Sequence, residues 1–136
     1  MQSIFIIGEQ RSGSNLLRLM LDKSAKIAAP HPPHILQRMM ELVPSYGSLE
    51  DEASFTTLVD DVCLLVETNP VKWNMPGLNR EHVKNRCREN SLVAVFGAVM
   101  DIYAESNDAD TWVCKSMQNV KWLDDLEHYF DQPKYI

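Results

Sequence analysis

Three things are scarce in this 136-residue chain: cysteine, positive charge and uninterrupted apolar sequence. The three cysteines, Cys63, Cys87 and Cys114, are far apart and odd in number, with no C-x-x-C pair. That spacing excludes a disulfide framework and a zinc-finger-type site. Acidic residues number 19 against 13 lysines and arginines, for a net charge of -6. A general nucleic-acid binder normally carries a basic footprint, so no nucleic-acid partner is expected. A small basic pocket inside an acidic shell remains compatible with this balance. No apolar run approaches the roughly 20 residues of a membrane span, and Met1 leads into strand-like sequence rather than a signal peptide. The expectation is a cytoplasmic chain without a membrane partner. Its length and 45% hydrophobic content suit one domain, residues 1–136, around one core.

What is there begins with Ile4 to Ile7, continuously apolar and β-rich, as in a central parallel strand covered on both faces. Gly8 to Gly13 form a loop, and Leu16, Leu17, Met20 and Leu21 then recur at helical spacing, predicting a helix over Ser12–Lys23. Ala28 to Pro33 holds three prolines and reads as a stiff loop that displays His31. A helical pattern runs from His34 to Leu42, and residues 45–53 read as an exposed connection. Phe55 to Val66 is amphipathic, whereas 69–79 is broken by Pro70, Pro76 and Gly77. Asn79 and Ser91 are predicted N-caps, the first of a short basic helix to Arg88 and the second of a longer apolar one. Arg80, Lys84, Arg86 and Arg88 alternate with acids, as on a solvated face. Thr111–Lys115 is a second strand, the stretch from Val120 to Phe130 a helix, and Lys134–Ile136 a third strand. This order predicts an α/β fold: a parallel sheet of the P-loop NTPase kind flanked by helices, truncated after its third strand.

The loop after the first strand also lacks something. Gly8 and Gly13 keep the spacing of the nucleotide loop G-x-x-x-x-G-K-[ST], but Ser14 and Asn15 follow where lysine and a magnesium-binding hydroxyl belong. The one cation in the loop is Arg11, three residues early. Strand, glycine-bounded loop and helix N-terminus together suit a phosphate, because successive backbone N–H groups converge on it. Without the lysine, a triphosphate with magnesium loses two of its partners. One phosphate carrying a further anionic group still fits.

The segment G-E-Q-R-S-G-S-N-L-L-R-L-M-L-D resembles the 5′-phosphosulfate loop of sulfotransferases that use 3′-phosphoadenylyl sulfate (PAPS), most closely tyrosylprotein sulfotransferases and their bacterial relatives. W-V-C-K-S-M-Q-N and F-D-Q-P-K-Y-I are similar to two later segments of that family, so the resemblance spans both ends of the chain. It implies transfer of a sulfuryl group from PAPS to a hydroxyl or amine, on a small-molecule or peptide acceptor, without a metal. By the same resemblance Gly8, Ser12, Gly13, Ser14 and Asn15 would hold the 5′-phosphate. Arg11 would meet the charge developing on the leaving group, the kind of stabilisation worth roughly 3–4 kcal/mol per donor. Lys115 matches the family lysine that approaches the sulfuryl group.

One departure stands out. The family's glutamate base would fall on His31 or Pro32, and no carboxylate lies between Asp22 and Glu41. His31 or His34 could take the proton instead, since imidazole titrates near neutrality. The family's 3′-phosphate site would follow Ile136, so the resemblance implies that this chain alone binds PAPS weakly and is inactive as a transferase, and that it self-associates through an open sheet edge. A degenerate P-loop kinase or NTPase and a non-catalytic binding module remain as alternative readings.

Overall fold

The computed structural model describes residues 1–9 and 12–136. Strand β1 (Gln2–Ile6) alternates, and the alternation sorts its side chains onto two faces. Ser3 and Phe5 point one way, Ile4 and Ile6 the other. β1 pairs in parallel with β3 (Thr111–Lys115) from Gln2 opposite Thr111 to Ile6 opposite Lys115. On its other side lies β4 (Lys134–Tyr135), also parallel. Backbone bonds between Ile136 and both Phe5 and Ile7, each 2.8 Å, extend that pairing by one residue. The expected α/β architecture, with the first strand central and the chain's last residues beside it, is what forms.

The sheet has four strands rather than three, in the order β2-β3-β1-β4. The additional one, β2 (Ile27–Ala28), pairs with β3 at Thr111 and Trp112. It occupies the start of the stretch read as loop, and two residues are too few to show any periodicity. Tertiary contact creates it: the Lys26 carbonyl accepts from the amides of both Asp110 and Thr111, at 3.1 and 3.2 Å.

Most of the core lies on the Phe5 face. Phe5 is fully buried, with Trp112 edge-on at 5.4 Å, Phe130 at 5.6 Å and Tyr135 stacked at 5.7 Å. Against this aromatic group packs α5 (Leu92–Ser106), every residue of which from Leu92 to Met100 is buried. The predicted caps form: the Ser91 hydroxyl accepts from Ala94 N at 3.1 Å, and Asn79 from His82 N at 3.0 Å at the head of α4 (Arg80–Arg86). The long amphipathic helix α3 (Glu52–Glu67) is capped by Asp51. Pro44 does not end the helical stretch that begins at α2 (Ile35–Met39). A 3-10 turn with Pro44 inside it runs on from Met40 to Tyr46. A further 3-10 turn, Met117–Trp122, takes up the start of the last expected helix, leaving α6 as Leu123–Tyr129.

Two expectations about surfaces change. The basic run of α4 is not simply solvated: Arg80 forms a bidentate pair with Glu67 at 2.6 and 2.8 Å, Lys84 reaches Glu52 and Arg86 reaches Asp101. These pairs tie α4 to α3 and α5. On the opposite face of the sheet, α1 (Ser14–Asp22) buries only half of its apolar stripe. Leu17 and Leu21 pack on Ile6, Ala29 and Val113, whereas Leu16 and Met20 are 62% and 61% exposed. Among the described residues no helix is long and apolar enough to cross a membrane.

Gly97 is where α5 meets the end of α6 and the residue after it. A Cβ there would lie 2.8 Å from a Phe130 ring carbon and 3.2 Å from one of Tyr129. Phe130 is hemmed in by Phe5, Phe96 and Trp112 and has little room to yield. Overpacking of about 1–3 kcal/mol should outweigh the ~1 kcal/mol that alanine gains over glycine inside a helix. Gly97→Ala is therefore expected to lower the urea midpoint. A raised midpoint would show that the ring moves aside freely.

Candidate functional site

The loop between β1 and α1 is built by two glycines. A Cβ on Gly8 would come within 3.1 Å of both Ser12 Oγ and Ser14 Cβ, so the chain folds back on itself over a backbone without a side chain. Gly13 has φ +86°, a left-handed conformation that costs an L-residue roughly 1–2 kcal/mol. It is the N-cap of α1 and offers no side chain to the first turn. The N–H groups of that turn have no acceptor within the helix, and the helix dipole adds positive potential beside them. This is the geometry in which a phosphate is held. Ser12 Oγ donates to the Glu9 carbonyl at 2.6 Å, and Ser14 Oγ lies 3.5 Å from the same oxygen. Both hydroxyls are thus turned toward the loop's own backbone. Arg11, the expected catalytic cation, lies outside the described residues.

The apolar stripe of α1 conceals a clamp. Arg18 is buried, and its Nη1 donates to the Ala29 carbonyl at 2.8 Å while its Nε reaches Asn15 Oδ1 at 3.3 Å. One turn later, Asp22 accepts from Ala29 N at 2.8 Å. Residues four apart share a helix face, so one backbone unit is gripped from both sides. The grip sets where the proline loop leaves the sheet. Beyond it, Trp73 Nε1 holds the His31 carbonyl at 2.8 Å, and His34 takes a left-handed conformation, φ 57°, at the head of α2. Non-glycine residues held there are strained and need surrounding contacts to keep them so.

Those contacts bring His34 to the residue that follows β3 and hold His31 against Asn69 and Trp73. His34 Nδ1 lies 3.2 Å from Ser116 Oγ, and Ser116, buried, donates its amide to the Ile6 carbonyl. Lys115, the last residue of β3, stands opposite Ile6, where the chain leaves β1 for the glycine-bounded loop. Burial lowers the affinity of His31 for a proton, and the charges of Arg18 and Lys115 lower it further. For His34 burial again leads, followed by Arg38, Lys115 and His31. Two imidazoles held neutral beside fixed positive charge can accept a proton or donate a hydrogen bond without adding net charge.

His34, beside Ser116, and Lys115, opposite Ile6, therefore lie at the sheet end where the β1–α1 loop begins, and the Lys115 charge also acts on His31. Such an end is the usual ligand site of an open parallel sheet. Sequence reasoning missed the residues that hold them: Arg18, Asp22, Asn69 and Ser116. The first two had a readable signal, a charged pair four apart inside L-L-R-L-M-L-D. Asn69 and Ser116 had none, because their partners lie 38 and 82 residues away.

The model of the family described as "Sulfotransferase family" matches residues 3–136. No curated protein matches the chain, and no solved structure does.

Two outcomes test this arrangement. Arg18→Met leaves the Ala29 carbonyl without its charged donor and should cost about 1.5–3 kcal/mol of stability by urea titration. The histidines predict a pH dependence. Their proton affinities are lower folded than unfolded, so the stability they permit is complete above the ordinary value of 6.5 and declines as pH falls below it. The midpoint should drop between about pH 7.5 and about pH 5.5, and by less in the His31→Gln/His34→Gln double variant. An equal drop in that variant would assign the effect to other groups.

Proposed function

Since the chain belongs to the sulfotransferase family, we propose that it transfers a sulfuryl group from PAPS to a hydroxyl or amine of a small-molecule or peptide acceptor. One observation carries the reading: the parallel register that sets Lys115 opposite Ile6, with the anion-suited loop on one strand and two neutral histidines beside the other. The donor fits the residues present. A cradle that a Cβ at Gly8 would crowd, followed by a helix N-terminus, suits a 5′-phosphate and leaves no lysine for a triphosphate.

Within this reading the loop N–H groups of Gly13 to Asn15 bind and orient the phosphate. Arg11, by its place in the loop sequence, stabilises negative charge on the leaving oxygen, and Lys115 does the same for the sulfuryl oxygens. When bound, the donor supplies the sulfuryl group: its sulfur–oxygen bond to phosphate breaks, the electron pair stays with the phosphate, and sulfur bonds to the acceptor. One of the two histidines takes the acceptor's proton. Being neutral at physiological pH, either is in the protonation state that a base requires. The proline loop, held by Arg18, Asp22 and Trp73, keeps both within reach of the sheet end.

Calorimetry with adenosine 3′,5′-bisphosphate, PAPS and magnesium ATP side by side tests the reading. Both adenosine 3′-phosphates are expected to bind more tightly than magnesium ATP. Arg11→Ala should weaken PAPS binding about 10- to 100-fold while changing stability by no more than about 0.5 kcal/mol. Tightest binding of magnesium ATP would favour a kinase or NTPase instead.

A further inference from the structure

The two histidines are held by partners of different kind. Asn69 is buried, and its Nδ2 lies 3.4 Å from His31 Nδ1 and donates to the Val71 carbonyl at 3.0 Å. The second bond orients the amide, because a flipped Asn69 would set its own oxygen against that carbonyl. His31 Nδ1 therefore faces an N–H and must accept, which puts the ring proton on Nε2. His34 Nδ1 instead faces a hydroxyl, Ser116 Oγ, which can donate or accept.

We propose that Asn69 and Ser116 divide the work between the two rings, Asn69 fixing His31 as an Nε2–H donor and Ser116 leaving His34 to take the acceptor's proton. The reason lies in what protonation does to each contact. A proton added to His31 must go on Nδ1, where it would confront the amide hydrogen of Asn69, two donors facing one another. His34 meets no such conflict. Because a hydroxyl can accept, His34 can keep its proton on Nδ1 and donate a hydrogen bond to Ser116 Oγ, which leaves the Nε2 lone pair available, and that hydrogen bond survives when Nε2 is protonated. Asn69 and Ser116 are thus positioning residues. His31 would then offer an N–H to an anion, which the charges of Arg18 and Lys115 would also attract. The strained backbone of His34 is consistent with a ring held for use rather than for packing.

The assignment rests on the sulfuryl-transfer reading for its chemistry, but the tautomers can be measured without turnover. In a two-bond hydrogen–nitrogen correlation spectrum of the 136-residue chain, labelled at histidine nitrogen and held above the histidines' titration range, His31 should be protonated on Nε2 and His34 on Nδ1. Asn69→Asp supplies a group that only accepts and should transfer the His31 proton to Nδ1. Ser116→Ala should release the His34 tautomer and Ser116→Thr restore it. A wild-type His31 protonated on Nδ1, or a His34 protonated on Nε2, would overturn the division. Where PAPS and an acceptor give turnover, His34→Ala should lower it about 100-fold or more and His31→Gln about tenfold or less. The reverse ranking would return the base to His31. A chain with the expected tautomers and no sulfuryl transfer would count against the reading of function, not against this hydrogen-bond pattern.

Discussion

Parallel pairing of β1 with β3 aligns Ile6 with Lys115, and the functional groups inherit their positions from that register. Parallel strands bring their carboxyl ends to the same edge, so the loop leaving β1 and the lysine ending β3 become neighbours although more than a hundred residues separate them. A slip of one residue would turn every side chain of a strand to the other face. Phe5, Trp112 and Cys114 on one face, with Ile6 and Val113 on the other, make such a slip prohibitive. Burial of the aromatic group on the Phe5 face thus stabilises the core and sets the site geometry at once.

Around this ladder the two faces are unequally covered. The long apolar α5 closes one face, while α1 lies on the other with Leu16 and Met20 outward. What α1 lacks in apolar burial it makes up in polar attachment. Arg18 is tolerated in a buried position because carbonyl and amide oxygens meet its N–H groups, and Asp22 completes the grip on Ala29. A segment with proline at 30, 32 and 33 has few amides to bond with, so these side chains and the Trp73 indole supply its attachment.

The site combines fixed positive charge with neutral imidazole. Lys115 and Arg18 both disfavour a proton on His31, and Lys115 does the same at His34. Such surroundings attract an anion while keeping the rings uncharged. An incoming anion would reverse part of that effect and raise the proton affinity of the histidines when it is bound. Protonation and anion binding would thereby be coupled through their shared electrostatic potential.

Much of this was legible in the residues themselves. Local chemistry is written in short segments: β1 in a run of apolar β-formers, the loop in the spacing of Gly8 and Gly13, the caps in Asn79 and Ser91. The α/β class follows from their order, and the missing lysine sets the loop apart from one built for a triphosphate. Other features depended on partners remote in sequence. A two-residue strand at Ile27–Ala28 exists because β3 lies beside it, and the basic run of α4 is paired because acids of α3 and α5 converge on it. The sequence alone made His31 and His34 equivalent, two imidazoles in one proline-rich loop. Only tertiary structure separated them, because it sets an amide of Asn69 against one ring and a hydroxyl of Ser116 against the other, and both residues arrive from elsewhere in the chain.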